Sequence, residues 1–91
     1  MALKWPNKDP NEVLDYEIDW SKRLGTDTIA TSTWPLFPTG ITIGTTTNTA
    51  RSTTVWLSDG IEGATYLITN RITTVLGRTM DQSVSILIQT K

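Results

Sequence analysis

The chain has 91 residues, which suits one small domain with a thin hydrophobic core. Histidine and cysteine are both absent, and this removes the commonest general base, the thiol nucleophile, Cys/His zinc sites and disulfide bonds. A net charge of −1 gives no long-range attraction to phosphate, so nucleic acid is not an expected partner. Eighteen of the residues are threonine, a strand-favouring residue, and an all-β fold is therefore the first expectation.

The N-terminal segment MALKWPNKDP contains no apolar run long enough for a signal peptide or a membrane span. Neither a membrane nor signal-directed secretion is therefore expected. Residues 1–12 are predicted to form an extended N-terminal arm, which ends in the turn-forming cluster NKDPNE.

The first predicted strand lies in VLDYEIDW. Strand side chains alternate between two faces, so the large apolar residues share one face and Asp15, Glu17 and Asp19 share the other. The following SKRLGTD is predicted to be a loop, because Gly25 supplies backbone freedom there.

Two shorter strands are predicted in the middle of the chain. One runs from about Asp27 to Trp34 and ends at WPLFP, because proline cannot donate a ladder hydrogen bond and the connection should be extended and exposed. The next is GITIG, followed by TTTNTA as a loop or a short edge strand.

Three clearer strands complete the chain. STTVWLS places Val55 and Leu57 on one face and Trp56 on the other, and it ends at the turn SDGIEG. TYLITNRITTV is the longest candidate, LGRT is a turn, and MDQSVSILIQT aligns apolar residues at even spacing. No helical periodicity of three and four is present.

Six to eight short strands predict a small antiparallel immunoglobulin-like β-sandwich that spans residues 1–91 as a single domain. EGATYLI supports this topology, because it places Tyr66 near the start of a long strand. In a tyrosine corner, the ring packs at that position and the hydroxyl bonds back to the loop backbone.

The carboxylates of Asp15, Glu17 and Asp19 have two interpretations. Alternate strand positions stand about 6.5 to 7 Å apart with parallel side chains, so the three oxygen donors do not converge as a metal ion requires. A solvated strand face that contacts a basic partner is favoured, and no metal is expected.

Trp5 and Trp34 each precede a proline and are candidate contact residues, as rigid apolar knobs for a neighbouring subunit or a sugar ring. The alternative is that both cover the small core. Trp20 and Trp56 are interpreted as core or sheet-face residues. Arg71 and Arg78 are candidates for pairing with carboxylates of a neighbour, with a solvated guanidinium as the alternative.

Catalysis requires convergent acids in a cleft or an activated nucleophile, and neither pattern is present. We therefore expect no enzyme activity, no catalytic residues, no cofactor and no small-molecule substrate.

Four phrases, DPNEVLDYEIDWSKRLGTDTI, VWLSDG, GATYLITNRITT and GRTMDQSVSI, together resemble a group of short proteins encoded in tailed bacteriophages and prophages. The similarity covers about residues 9–88. It implies an immunoglobulin-like fold and a non-enzymatic structural role in the virion, with assembly in the host bacterial cytoplasm. The implied partners are other phage structural proteins, bound in multiple copies or by a homo-oligomer.

Three positions in the particle stay open: capsid decoration, head-to-tail connection and tail attachment. The alternative from another class is a carbohydrate or host-surface binding module that uses exposed tryptophans.

Overall fold

The computed structural model describes residues 3–35 and 39–91. This part of the chain forms seven strands and one short helix: β1 (Leu3–Lys4), β2 (Leu14–Asp19), α1 (Ser21–Leu24), β3 (Ile29–Thr33), β4 (Ile41–Asn48), β5 (Ser52–Asp59), β6 (Thr65–Thr74) and β7 (Thr79–Leu87). The strands form a four-stranded sheet of order β1-β7-β6-β3 and a three-stranded sheet of order β2-β5-β4. The predicted all-β sandwich is confirmed.

The core lies between the two sheets and follows from the alternation of the strands. In β5, Val55 and Leu57 face inward with no exposed surface. Their neighbours at even positions face outward. β6 and β7 pair in antiparallel register along their whole length and supply the opposite wall. The buried apolar side chains of these two strands are Tyr66, Ile68, Ile72, Val84 and Ile86.

One local prediction is corrected by the structure. SKRL forms the helical turn α1 instead of a loop, because the Asp19 carboxylate accepts the backbone N–H of Ser21 at 2.9 Å and Leu24 is buried. Of the two alternatives for TTTNTA, the edge strand describes TTTN, because β4 lies at the edge of its sheet and continues to Asn48 after a bulge between Ile43 and Thr46. Of the predicted WPLFP connection, residues 36–38 lie outside the described residues.

The N-terminal segment lies along β7 in the only parallel pairing among the strands of the described residues. The backbone N–H groups of Trp5 and Lys8 donate to Ser85 and Leu87 at 2.9 and 3.0 Å. The Lys8 side chain is fully buried, and its ammonium donates to the Asp59 carbonyl at 2.6 Å. Burial lowers the pKa of Lys8. Residues 3–8 are therefore docked against the sandwich.

An interior polar cluster of Trp20, Ser32, Thr53 and Asn70 joins the two sheets. The Asn70 side-chain carbonyl accepts from the Trp20 indole at 3.1 Å and from the Thr53 hydroxyl at 2.7 Å. Its amide donates to the Ser32 hydroxyl at 3.0 Å and to the Thr33 carbonyl at 2.8 Å. Asn70 comes from the four-stranded sheet, whereas Thr53 comes from the three-stranded sheet. The cluster thus fixes the position of one sheet relative to the other.

The predicted tyrosine corner is present. Tyr66 is buried at the start of β6, and its hydroxyl accepts the backbone N–H of Ile61 at 3.1 Å. This bond ties the turn between β5 and β6 to the core.

Candidate interaction surfaces

The outer face of the three-stranded sheet carries Asp15, Glu17 and Asp19, all exposed on β2. Alternation forces this orientation, because Tyr16 and Ile18 between them are buried. In the β2–β5 register, Asp15 lies opposite Trp56, whose side chain is 40% exposed. We call Asp15, Glu17, Asp19 and Trp56 the acidic face.

The carboxylates of the acidic face are mostly free of intrachain partners. Within residues 3–35 and 39–91, Asp15 and Glu17 form no salt bridge, whereas Asp19 accepts the Ser21 N–H. Hydrogen bonds from Ser21 lower the pKa of Asp19. In the described part of the chain, no group of acidic side chains is arranged to hold a metal ion. The acidic face therefore offers charge and one aromatic side chain, without a ligand cage.

Trp5 and Trp34 are core residues, and their interpretation as exposed knobs is wrong. Their exposed fractions are 7% and 8%. The Trp5 ring stacks on Tyr16 with centroids 4.9 Å apart and lies 6.4 Å from the Trp34 ring. The Trp5 indole donates to the Glu17 carbonyl at 3.2 Å. In so small a core, each indole buries a large apolar area. The alternative interpretation, in which both tryptophans cover the small core, agrees with the structure.

Arg71 and Arg78 are paired within the chain and are not left for a neighbour. The Arg71 guanidinium donates to both oxygens of Asp81, at 2.8 and 3.1 Å, on the outer face of the four-stranded sheet. The Arg78 guanidinium donates twice to one oxygen of Asp27, at 3.1 and 3.0 Å. Asp27 is buried, so the second pair is part of the fold.

Asp27 fixes the turn between β6 and β7. Its carboxylate accepts the backbone N–H of Thr28 at 2.8 Å and of Leu76 at 3.3 Å, as well as the Arg78 guanidinium. Burial by itself raises the pKa of Asp27, but hydrogen bonds from Thr74, Thr28, Arg78 and Leu76 outweigh it, and the pKa falls to about 2. A charged carboxylate is therefore maintained beneath the turn.

This turn presents Val75 and Leu76, which are 66% and 72% exposed. We call residues 75–77 the hairpin tip. Strand alternation does not predict this surface, because it places Val75 in the long strand TYLITNRITTV and leaves LGRT as a turn. The sequence does contain a signal for an exposed apolar turn, since two large apolar residues stand directly before a glycine. In the structure, that glycine, Gly77, has a φ of +91°. Such a pair in a turn cannot be buried by strand alternation.

The described residues contain no helix that is long and apolar enough to cross a membrane. No pocket is present in the described residues either.

Comparison with known proteins supplies the biological context. The solution structure of the PKD domain from KIAA 1837 protein is 21% identical, with a TM-score of 0.55, over 96% of this chain and 83% of that chain. This similarity shows the immunoglobulin-like fold. No curated protein matches. Residues 8–87 match the family model described as podophage GP4 fiber-tail adaptor protein gp77.

The family match confirms the resemblance to virion-associated phage proteins, and it identifies this chain as a structural protein of a phage tail. It covers most of the chain, including both partners of the Asp27–Arg78 pair and the whole acidic face. The chain belongs to the podophage GP4 fiber-tail adaptor protein gp77 family.

Proposed function

We propose that this protein is a non-enzymatic adaptor that joins a fiber to the tail of a podophage particle. The family match favours tail attachment over the other two positions that the sequence left open, capsid decoration and head-to-tail connection. Several copies around a symmetric tail gain avidity from repeated weak contacts. The partners are other tail proteins, and assembly takes place in the host cytoplasm.

The acidic face is the observation that carries this proposal. Trp56 is a large, rigid side chain that stands exposed on a hydrogen-bonded sheet, next to Asp15 in register. Aromatic anchors surrounded by polar groups are typical centres of protein interfaces. Because Asp15 and Glu17 lack intrachain salt bridges in the described structure, a basic surface on the partner supplies the missing charge.

The rival function, binding of carbohydrate or the host surface, depended on Trp5 and Trp34 as exposed stacking platforms. Both rings are buried, and Trp5 lies between Tyr16, on which it stacks, and the Trp34 ring. No platform exists at these positions in the folded chain, and we do not propose this function.

The role of Trp56 as an aromatic anchor of the interface is tested with Trp56→Ala, using Leu67→Ala as the matched control. Leu67 is 56% exposed on the outer face of the opposite sheet, so both substitutions remove an exposed apolar side chain from a strand. Each purified variant is added to tails assembled without this protein, and bound protein is measured by co-sedimentation. We expect Trp56→Ala to lose at least about tenfold in affinity and Leu67→Ala to bind as wild type.

The carboxylates are tested with the triple variant Asp15→Asn, Glu17→Asn and Asp19→Asn. Asparagine at position 19 still accepts the Ser21 N–H, so the fold is expected to be intact. Docking onto the tails should be slower, and its salt dependence should be flatter, because rim charges act mainly on association rate. The control is Arg71→Gln with Asp81→Asn, which removes a charge pair from the other sheet. Equal docking of the triple variant, the control and wild type at every ionic strength would exclude the acidic face as the tail-binding surface.

A further inference from the structure

Charge is distributed unequally along the molecule, which extends 41 × 26 × 19 Å. Basic residues gather at the end formed by residues 19–27, the β4–β5 turn and residues 74–78, which include the hairpin tip. Acidic residues gather at the opposite end, formed by residues 8–13, 59–64 and 88–91. We call these the basic end and the acidic end.

The basic end is defined by contacts around α1. Arg51 donates to the carbonyls of Ser21 and Gly25 at 3.2 and 2.8 Å, and Arg78 donates to the carbonyl of Leu24 at 3.0 Å. Lys22 and Arg23 lie on α1 itself. Against these four cations stand two carboxylates, Asp19 and Asp27, which leaves a charge of +2.

The hairpin tip projects from the basic end in a fixed conformation. All five backbone N–H groups of residues 74–78 are bonded within the chain: Thr74 to Arg78, Val75 to Thr28, Leu76 to Asp27, Gly77 to Thr74 and Arg78 to Thr74. The exposed side chains of Val75 and Leu76 are therefore held in place before any contact forms. A pre-ordered apolar contact loses little conformational entropy on binding.

The acidic end has the complementary composition. Asp9 accepts the backbone N–H of Lys91, Glu12 pairs with the Lys91 ammonium at 2.9 Å, and Glu62 accepts from Thr90. Asp59 adds a fourth carboxylate, while Lys8 and Lys91 are the only cations of the described residues there, so the charge is −2. Two apolar side chains are exposed at this end, Val13 at 62% and Ile61 at 61%.

We infer that the hairpin tip of one copy docks on the acidic end of a second copy. Each end offers two exposed apolar side chains, and the two ends carry opposite charge, so each supplies what the other lacks. A contact between different surfaces of identical chains is heterologous, and its repetition gives a ring or an open filament. The inference goes beyond the proposed adaptor function, because adaptor copies that each bind the tail separately need no contact with one another.

The experiment uses the full chain and two surface variants, measured by sedimentation velocity at low ionic strength. The tip variant carries Val75→Ser and Leu76→Ser, and the acidic-end variant carries Val13→Ser and Ile61→Ser. Wild type should associate with increasing concentration up to about 1 mM, and added salt should weaken this association. Each variant alone should be monomeric. An equal mixture should form one-to-one dimers, because each variant retains the end that the other has lost.

Leu67→Ser is the matched control, since it exchanges an exposed leucine outside both ends and should associate as wild type. Lys22→Glu provides a second test with no apolar change, and it should reduce the association constant at low salt but not at high salt. Wild type that stays monomeric at about 1 mM overturns the inference. It is overturned equally if the acidic-end variant associates by itself, or if the mixture forms no dimer. Tail binding by the tip variant is scored separately, so failure of self-association and failure of the adaptor function are distinguishable.

Discussion

The interior polar cluster and the acidic face show what happens to polar groups on the two sides of one sheet. Trp20 and Thr53 point inward, and their polar atoms find partners on Asn70. Asp15 and Glu17, on the outer side of the same sheet, have no salt-bridge partner in the described structure. The inner groups therefore contribute to stability, whereas the outer groups remain available to another molecule.

This contrast exists because an unpaired polar group costs free energy only where water cannot reach it. Within the sandwich, the Asn70 side-chain carbonyl satisfies the Trp20 indole and the Thr53 hydroxyl, which are cut off from solvent. On the outer face, water solvates the carboxylates at no such cost. Substitutions that remove inner, intermediate and outer polar groups should thus form a decreasing series of effects on stability.

The largest effect is expected for Asn70→Leu. Leucine has the same branched shape, but the Trp20 indole and the Thr53 hydroxyl each lose an acceptor in a buried site. We expect a loss of about 3 kcal/mol in the free energy of unfolding, measured by urea denaturation. The control is the neighbouring Thr69→Val on the outward side of the same strand, which should change stability by less than about 0.5 kcal/mol. Equal losses of stability for Asn70→Leu and Thr69→Val would contradict the contrast between inner and outer polar groups.

Asp27→Asn should remove part of the acid sensitivity of the fold. The pKa of Asp27 lies at about 2 in the folded chain, below its ordinary value of 3.8. Its ionised form therefore stabilises the fold above pH 3.8, and this contribution is lost as the pH falls from 3.8 toward 2. Thermal unfolding measured from about pH 6 down to about pH 2 should show a shallower decline in the variant. The control Asp15→Asn, which removes an exposed acid without an ion pair, should leave the wild-type profile unchanged.

Tyr66→Phe and Tyr16→Phe compare a bonded hydroxyl with an unbonded one. The Tyr66 hydroxyl accepts the Ile61 N–H, and its removal should cost about 1 kcal/mol. The Tyr16 hydroxyl is buried without a hydrogen-bond partner in the described structure, and burial raises its pKa to about 12. Removal of that hydroxyl should be neutral or slightly stabilising, because no bond is lost. If both variants lose equal stability, the corner hydrogen bond has no special role.

The smallest effect is expected for the Arg71–Asp81 pair. Their side chains are 49% and 47% exposed, so solvent screens the attraction despite the two hydrogen bonds. Arg71→Gln, Asp81→Asn and the double variant should all unfold within measurement error of wild type. If the double variant changes the free energy of unfolding by clearly more or less than the sum of the two single variants, this outer pair behaves like the inner groups.

Much of this arrangement could be predicted from strand alternation. Because strand side chains alternate between two faces, Asp15, Glu17 and Asp19 face outward. For the same reason Trp56 points to the other face of the sheet from Val55 and Leu57. The same rule puts position 70 on the buried face together with Ile68 and Ile72, which is where Asn70 lies.

Other features depend on contacts that no local pattern encodes. β1 has only two residues and forms because β7 is there to pair with it. The burial of Trp5 and Trp34 depends on contacts between distant parts of the chain, namely of Trp5 with Tyr16 and with Trp34, because proline neighbours give no information on burial. The hairpin tip is fixed by Asp27, which lies 49 positions earlier in the chain than Leu76.

The docking of the N-terminal segment on β7 affects the order in which the protein folds during synthesis. Leu3 pairs with Val84, and Lys8 bridges to Ile88. Neither contact can form until residues 84–88 have emerged from the ribosome. Contacts with so large a sequence separation form late and slow the approach to the native state. Trp5 consequently remains exposed on the nascent chain, and the sandwich closes only after translation of the last strand.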